Sequence, residues 1–412
     1  MERRELRRLL GVPPTGRCEP VLVREAQPEN FFRAFAAAVA GDGEVFLGNP
    51  LWSDGELARA LEQMPTARPG APVRDRGWLM IPTGGSSGGI KFARHDGFTL
   101  AAAVKGFARH FGLPQVNAVG VLPLFHVSGF VAWMRCVMTG GEFRSWDWKR
   151  LESGDWPEIP ADRPWVISLV PTQLDRLLRQ PGAVARLREF RVIFLGGAPA
   201  WPDLLDRAAA ERLPLSLSYG MTETAAMVTA LRPGEFLAGD RSSGPAMPHA
   251  RIELSAEGVV CIGGSSLFRG YYPDWRHERK FFETADLGEL DARRHLRILG
   301  RRDAAIITGG EKVHPEEVEA ALRQAGGAAD FAVIGLPDAE WGEKVVIVYP
   351  RGAEFDPELT TTMARALPAP QRPKQFIALP EWPRNEAGKL RRTRLVELAQ
   401  AELRSGASPV GE

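Results

Sequence analysis

The feature that most constrains the fold of this chain is an alternation of apolar runs and helical patterns between about residues 76 and 230. The apolar runs have the composition of buried strands and occupy residues 119–124, 165–170, 192–197 and 215–220. Helical patterns lie between them at residues 172–180 and 201–213. Strands that alternate with helices pair in parallel, and the helices cover the faces of the sheet. We therefore predict an α/β fold with a parallel sheet at its centre.

The sequence changes character twice after this segment. Residues 250–264 alternate apolar and polar side chains around Glu257-Gly258, which predicts a hairpin in a β-rich subregion. An apolar run at residues 304–308 then leads through two glycines into a helix with Pro315 in its first turn. This second change indicates the start of a separate α+β unit.

The length of 412 residues is sufficient for two or three domains with a large core. We expect a large N-terminal domain of parallel and mixed sheets with helices, followed by a small, mobile α+β domain. The expected bounds are residues 1–300 for the first domain, with the β-rich subregion at about 240–300, residues 301–404 for the second, and residues 405–412 for a disordered tail.

Charge and cysteine content exclude several classes of protein. The chain has 52 Lys and Arg against 51 Asp and Glu, which gives no reason to expect a nucleic-acid partner. Its three cysteines are far apart and lack metal-ligand spacing, as is typical of free thiols in a reducing compartment. The charged N-terminus has no apolar region after it, and no apolar run is long enough for a membrane span. We expect a cytoplasmic protein without an integral membrane segment, and the sequence does not indicate its oligomeric state.

A glycine-rich segment, TGGSSGGIK, occupies residues 83–91 after an apolar run. So many glycines are entropically costly to order, so such a segment is either a flexible surface loop or a part with a specific use. Its backbone N–H groups, its hydroxyls and Lys91 could all donate to phosphate oxygens. A Walker loop is excluded because Ile90 stands where that motif requires lysine. Taken alone, the segment leaves both a flexible loop and a phosphate-binding loop open.

Five further segments place polar residues or glycines beside predicted strands, at residues 217–224, 257–272, 283–290, 300–319 and 383–392. Together with the glycine-rich segment they resemble, in order, the core motifs of the adenylate-forming superfamily. That superfamily comprises acyl-CoA ligases, adenylation domains and luciferases, and the resemblance covers roughly residues 78–395. The sequence departs from the usual phosphate-loop pattern at Gly84, Ser86 and Ser87, and Ile90 replaces its proline.

The resemblance implies an enzyme that uses ATP, Mg²⁺ and CoA. A carboxylate of a small-molecule acid attacks the α-phosphate of ATP, and pyrophosphate leaves an acyl-adenylate behind. This chemistry depends mainly on positioning and on neutralising charge. The resemblance assigns phosphate binding to Thr83, Gly84, Gly85, Ser86, Ser87, Gly88 and Lys91. It assigns contacts with the adenine and its neighbouring groups to Gly196, Gly197, Ala198, Ser218, Tyr219, Gly220 and Met221.

The resemblance also implies roles for single polar residues. Thr222 donates to the α-phosphate, and Glu223 is the ligand of Mg²⁺, which prefers oxygen. Asp286 accepts the ribose hydroxyls with Arg301 beside it, and Lys389 stabilises the charge that builds during adenylation. Each role has an ordinary structural alternative when the residue is taken alone. These alternatives are a carboxylate at a helix start for Glu223, an ion pair for Asp286 and Arg301, a core aromatic for Tyr219 and a solvated lysine for Lys389.

In this superfamily the small C-terminal domain rotates between two half-reactions. The resemblance therefore assigns the hinge to Asp303. Lys389 enters the site for adenylation, and the Gly309-Gly310 loop replaces it for attack by the thiol.

Substrate choice rests on two segments, VLPLFHVSGF at residues 121–130 and SLVPTQL at residues 168–174. Both resemble the o-succinylbenzoate–CoA ligases of menaquinone and phylloquinone synthesis. The resemblance makes His126, Ser128 and Thr172 candidates for the acid pocket, with His126 also a candidate catalytic residue. A gate or packing role for His126 stays open. An acyl- or aryl-CoA ligase for another acid, or a carrier-protein-loading adenylation enzyme, also remains open.

Overall fold

The structure, a computed structural model, describes residues 1–65, 77–84, 90–275, 280–324, 330–384 and 390–405. The helices are α1 Arg3–Leu10, α2 Pro28–Ala40, α3 Asp54–Gln63, α4 Gly97–Phe111, α5 Val127–Thr139, α6 Trp148–Glu152, α7 Pro171–Leu178, α8 Ala183–Leu187, α9 Pro202–Ala210, α10 Pro233–Leu237, α11 Pro315–Gln324, α12 Pro357–Ala364 and α13 Arg392–Ser405.

The strands of the N-terminal part are β1 Val21–Val23, β2 Val45–Leu47, β3 Leu79–Gly84, β4 Ile90–His95, β5 Asn117–Gly120, β6 Phe143–Ser145, β7 Trp165–Leu169, β8 Val192–Leu195, β9 Leu215–Met221, β10 Ala226–Ala230, β11 Ala250–Leu254, β12 Val259–Gly264, β13 Phe281–Leu290 and β14 Leu296–Arg301. Those of the C-terminal part are β15 Ile306–Thr308, β16 Glu311–Val313, β17 Ala332–Asp338, β18 Gly342–Pro350 and β19 Gln375–Leu379.

A six-stranded sheet with the order β10-β9-β8-β7-β5-β6 lies at the centre of the molecule. All its strands pair in parallel except β10, which runs antiparallel to β9. The middle strands are apolar because both of their faces are covered, and every residue of β8 is buried. The parallel sheet predicted from the alternating pattern is confirmed.

Two further sheets complete the N-terminal part. Strands β1 to β4 form one sheet, in which β3 and β4 are antiparallel neighbours. Strands β11 to β14 form an antiparallel sheet whose first hairpin turns at Gly258, with φ of +77°. Glycine adopts that left-handed conformation without steric cost, which explains the hairpin signal in the sequence. The predicted β-rich subregion is therefore present.

The C-terminal part has its own sheet, in which β15, β16, β17 and β18 pair antiparallel and β19 runs parallel to β18. Helix α11 begins at Pro315, as predicted, and packs on this sheet through Val318 and Leu322. The same helix contacts α9 and β14 of the N-terminal part. The fold is thus a large α/β domain followed by a smaller α+β domain, while the boundary near residue 301 stays a prediction.

One predicted strand is shorter than expected. The apolar run at residues 119–124 ends as strand β5 at Gly120, and the chain then turns towards α5. The His126 amide donates to the Pro123 carbonyl at 3.1 Å, which closes this turn. A Cβ on Gly129 would lie 2.3 Å from that same carbonyl oxygen, so the first turn of α5 packs against the loop through glycine. Within the described ranges no helix is long and apolar enough to cross a membrane.

Candidate active site

Several candidate residues lie where parallel strands of the central sheet end. Gly196 follows β8, Thr172 lies in the first turn of α7 after β7, and His126 follows β5. Residues 218–221 form the end of β9. Ligands of open α/β sheets bind beyond the carboxyl ends of the strands, so this edge is the expected place for a site.

The turn after β8 packs closely against β9. Gly197 has φ of +81°, and a Cβ on Gly196 would lie 3.0 Å from the Ser218 hydroxyl. A Cβ on Gly220 would lie 2.1 Å from the Ala226 carbonyl oxygen, so β9 and β10 also approach through glycine. Ala198 continues the turn outside β8. Glycine keeps the backbone free of side chains at these two positions, and the adenine contact stays a prediction.

Asp286 and Arg301 pair directly across β13 and β14. The Arg301 guanidinium lies 3.6 Å from the Asp286 carboxylate and makes two shorter bonds to Asp303, at 2.8 and 2.5 Å. The hydrogen bond to Asp303 is the largest cause that raises the pKa of Arg301. Arg301 therefore links the predicted ribose acceptor to the predicted hinge residue, which lies in a short 3-10 turn at Arg302–Ala304.

The Thr222–Glu223 turn is held by bonds from two distant segments. It is a 3-10 turn, Thr222–Thr224, between β9 and β10. His95 binds the Thr222 carbonyl at 2.7 Å, and the Phe268 amide donates to the Glu223 carbonyl at 2.8 Å. The Tyr271 hydroxyl donates to Oε1 of Glu223 at 2.6 Å. The predicted α-phosphate donor and the predicted metal ligand therefore occupy fixed positions.

His95 is a residue that the sequence reasoning missed. Its side chain is fully buried at the end of β4, and burial is the main cause that lowers its pKa to about 4. A carbonyl can only accept a hydrogen bond, so Nε2 of His95 carries the proton that it shares with Thr222. No motif in the sequence marks His95 as part of the site. Its neighbour Asp96 is the N-cap of α4.

Asp96 and Arg269 form a second link between β4 and the segment that contains Tyr271. The Arg269 guanidinium lies 2.8 Å from the fully buried Asp96 carboxylate. Burial alone would raise the pKa of Asp96, but the bond and charge of Arg269 hold it below its ordinary value. The backbone of Arg269 also donates to the Arg94 carbonyl at 2.7 Å. The two segments are thus joined by an ion pair and by main-chain bonds.

The ends of the glycine-rich segment form the tips of β3 and β4. Thr83 pairs with Lys91, and Gly84 pairs with Ile90. The Lys91 ammonium lies 5.6 Å from the centre of the Tyr271 ring. The other predicted phosphate contacts, Gly85, Ser86, Ser87 and Gly88, lie outside the described residues. Both readings of this segment therefore remain predictions.

The candidate acid-pocket residues follow neighbouring strands, since β5 pairs with β7. His126 precedes the first residue of α5, and Ser128 lies in the first turn of that helix. Thr172 is the second residue of α7. All three side chains are partly buried. Their roles towards a substrate stay predictions.

The C-terminal candidates lie in different settings. Gly309 and Gly310 have φ of +58° and +82° and connect β15 to β16, which only glycine does without strain. The Gly309 amide donates to the Trp341 carbonyl at 2.8 Å. Lys389 lies outside the described residues. The hinge, the glycine loop and the lysine therefore stay predictions.

Glu223 is suited to a metal that arrives with a phosphate ligand. Among the described residues there is no group of three or more His, Cys, Asp and Glu side chains that could hold a metal ion. Mg²⁺ in nucleotide sites is commonly bound by one or two carboxylates, with phosphate and water completing its shell. The single carboxylate of Glu223 fits that arrangement and does not fit a metal held by protein alone.

Residues 21–272 match the family of AMP-binding enzymes, and residues 317–389 match the AMP-binding enzyme C-terminal domain. A 2-succinylbenzoate–CoA ligase of Oceanobacillus iheyensis is 32% identical over 289 residues, covering 66% of this chain and 60% of that protein. The chain thus spans less than two thirds of that relative. A probable 2-succinylbenzoate–CoA ligase of Mycobacterium tuberculosis is 32% identical over 347 residues, covering 80% and 86%.

Solved structures show the same fold. An o-succinylbenzoate CoA synthetase of Bacillus subtilis, in complex with the acyl-adenylate intermediate OSB-AMP, superposes with a TM-score of 0.77 at 23% identity. That match covers 96% of this chain and 91% of the other. ATP-bound MatB of Rhodopseudomonas palustris gives a TM-score of 0.76 at 23% identity, with coverage of 96% and 91%.

Proposed function

Because this chain belongs to the AMP-binding enzyme family, we propose that it is an AMP-forming acid–thiol ligase acting on 2-succinylbenzoate. The substrate is suggested by the curated relatives, which carry the name 2-succinylbenzoate–CoA ligase. In the first half-reaction an oxygen of the succinyl carboxylate bonds to the α-phosphorus of ATP, and pyrophosphate leaves. In the second, the CoA thiolate bonds to the acyl carbon, and AMP leaves. The product, 2-succinylbenzoyl-CoA, belongs to menaquinone or phylloquinone synthesis in the cytoplasm.

One observation carries the proposal, namely the fixed Thr222–Glu223 turn. Its two carbonyls are bound by His95 and by the Phe268 amide, and its carboxylate is bound by Tyr271. A turn held at both carbonyls needs little reorganisation when charge develops next to it, which is the main requirement of phosphoryl transfer. We assign α-phosphate binding to Thr222 on this basis.

The metal and the terminal phosphates have separate candidates. Glu223 holds the Mg²⁺ that comes with ATP, and this ion neutralises phosphate charge when it is bound. Lys91 donates to the β- and γ-phosphates from the tip of β4, with Thr83 opposite on β3. The phosphate-binding role of Gly84 to Gly88 is part of the same proposal.

The nucleoside is assigned to the turn after β8 and the end of β9. The adenine lies against the Gly196-Gly197-Ala198 turn beside Tyr219, where glycine permits close approach to backbone. Asp286 accepts the ribose hydroxyls, and Arg301 balances its charge from 3.6 Å.

The C-terminal domain supplies different groups to the two half-reactions in this proposal. Lys389 stabilises the pentacoordinate phosphorus during adenylation, and the Gly309-Gly310 loop lines the thiol path afterwards. Asp303 is the pivot between these arrangements. Its support is its position in the short turn that links β14 to β15.

The acid is assigned to the pocket beyond β5 and β7. His126, Ser128 and Thr172 are partly buried residues at the ends of these neighbouring strands. A mainly apolar pocket with few polar groups suits an aromatic ring that carries a second carboxylate.

A panel of carboxylic acids with ATP, Mg²⁺ and CoA tests the proposal. Pyrophosphate and thioester are measured separately, because a carrier-loading enzyme makes the adenylate without turning over CoA. We expect 2-succinylbenzoate to give both products with the highest kcat/KM. Benzoate and succinate, which each contain one part of that acid, are the control substrates. A preference for another acid would replace the substrate assignment. If pyrophosphate is released but no thioester forms, CoA is not the acceptor. If no acid causes release of pyrophosphate, the proposed reaction is rejected.

A further inference from the structure

The side chain of Tyr271 contacts both the candidate metal ligand and the candidate phosphate lysine. Its hydroxyl lies 2.6 Å from Oε1 of Glu223, and its ring centre lies 5.6 Å from the Lys91 ammonium. We propose that Tyr271 is a positioning residue that orients the Glu223 carboxylate towards the Mg²⁺ of ATP and holds the Lys91 ammonium beside the phosphates. This inference rests on the proposed function and adds a residue to its machinery.

The Tyr271 ring is held from several sides. Its backbone forms an antiparallel bridge with Ala93 of β4, and its ring meets Phe268 edge to face at 4.9 Å. The amide of Phe268 in turn binds the carbonyl of Glu223 at 2.8 Å. These contacts fix Tyr271 relative to Glu223. The hydroxyl is therefore already in position to bond to the carboxylate.

The hydrogen bond holds the Glu223 carboxylate at one of its oxygens. Oε1 accepts from Tyr271, which restricts rotation of the carboxylate and leaves lone pairs on both oxygens for other partners. The phenol carries the hydrogen of this bond and the carboxylate has none to give, so Tyr271 is the donor. Partners that orient a metal-binding carboxylate in this way typically change metal affinity by about 10- to 100-fold.

The ring contributes by a different route. The face of an aromatic ring attracts an ammonium group within about 6 Å of its centre. Lys91 lies at the tip of β4 and its side chain is exposed. Without the ring, that side chain would sample many rotamers. A ring beneath the ammonium restricts that choice. Removing the hydroxyl and removing the ring should therefore have separable effects.

The test measures the affinity of the whole protein for ATP by calorimetry, once with Mg²⁺ and once with EDTA. The dissociation constant in EDTA divided by the dissociation constant with Mg²⁺ reports how much the metal strengthens ATP binding. This ratio needs no catalytic turnover. We expect Tyr271→Phe to reduce this ratio by about tenfold and to leave the affinity in EDTA unchanged. Tyr271→Leu should in addition weaken binding in EDTA, because Lys91 loses the ring.

Tyr272→Phe is the matched control. It removes the same hydroxyl from the next residue, whose phenol bonds to Glu44 and whose ring lies under Arg94. It should keep the wild-type ratio. Thermal unfolding of all variants shows whether each one is folded, and Tyr271→Phe keeps the packed ring.

A Glu223→Gln background shows whether Tyr271 acts through Glu223. If it does, Tyr271→Phe has no further effect on the ratio in that background. Additive losses, or a wild-type ratio in folded Tyr271→Phe, would overturn the inference. Wild-type protein that does not bind ATP would instead reject the proposed function, so the two failures are distinguishable.

Discussion

The hydroxyl of Tyr219 donates a hydrogen bond to Oδ2 of Asp286, with 2.6 Å between the two oxygens. Tyr219 lies on β9 of the central sheet and Asp286 on β13 of the antiparallel sheet, so this bond joins the two sheets at the candidate nucleotide site. Burial, and next the charge of Asp286, raise the pKa of Tyr219. The phenol therefore stays a donor and orients a largely buried carboxylate.

Asp286→Asn should weaken ATP and AMP binding by about tenfold, because an amide offers one acceptor oxygen in place of a charged pair. Equilibrium binding of both nucleotides checks this. Asp291→Asn is the control, since Asp291 caps the turn between β13 and β14 through bonds to backbone amides. Equal losses in both variants would indicate a general weakening of this sheet, and unchanged binding in Asp286→Asn would remove Asp286 from the site.

His95 should make the stability of the protein depend on pH. The folded-state pKa is about 4 against an ordinary 6.5, chiefly because of burial; the nearby charges of Asp96 and Arg269 act in opposite directions. The unfolded chain therefore binds a proton that the folded chain excludes, and stability falls as pH is lowered from about 6.5 towards 4.

His95→Gln removes that titration and keeps an N–H for the Thr222 carbonyl. Between pH 6.5 and 4, the slope of unfolding free energy against pH should fall by up to about 1.4 kcal/mol per pH unit. Denaturant unfolding across this range measures it. The buried His249, whose pKa is also about 4, leaves a residual slope. A slope identical to that of the wild type would show that His95 titrates normally in the folded state.

Lys389→Ala should abolish adenylate formation and largely spare thioester formation from preformed acyl-adenylate. In the proposed mechanism the Lys389 charge is needed only while the phosphorus is attacked. Pyrophosphate release and consumption of synthetic acyl-adenylate are followed on the same preparation. Lys105→Ala, an exposed position of α4, serves as the control. Equal loss in both half-reactions would contradict the assignment of Lys389 to adenylation.

Asp303→Pro should separate the two half-reactions. Proline fixes φ near −65° and deletes the amide proton, so a pivot at this residue would be trapped in one arrangement. We expect the adenylate to form while transfer to CoA falls by orders of magnitude. Asp303→Ala is the matched variant, since it also loses the ion pair with Arg301 but keeps a free backbone. A folded proline variant with both half-reactions intact would place the hinge elsewhere.

The parallel sheet could be predicted because its central strands are buried on both faces. Such strands are continuous apolar runs, and β8 is buried throughout. The end of β5 could not be placed, because residues 121–124 are as apolar as a strand while Pro123 and Gly129 direct the chain into a turn. Local composition does not show which backbone segment a glycine will pack against.

Short motifs in the sequence name some residues of the candidate site, whereas contacts between distant segments add others that no motif names. Thr222 and Glu223 stand in one short motif, but His95 reaches Thr222 across 127 positions of the chain. Tyr271 lies in a motif as well, yet its bond to Glu223 spans 48 positions. Such contacts follow from the packing of β4 against two other segments, which periodicity and spacing do not encode.

Oxygen-18 transfer tests the central claim, which is that an acyl-adenylate connects the acid to CoA. 2-Succinylbenzoate labelled in its succinyl carboxylate is converted with ATP, Mg²⁺ and CoA, and the nucleotide product is weighed by mass spectrometry. Attack of the carboxylate on the α-phosphorus leaves one labelled oxygen in AMP when the thiol displaces it. We predict labelled AMP and unlabelled pyrophosphate. Unlabelled AMP, or label in inorganic phosphate together with ADP, would contradict the account.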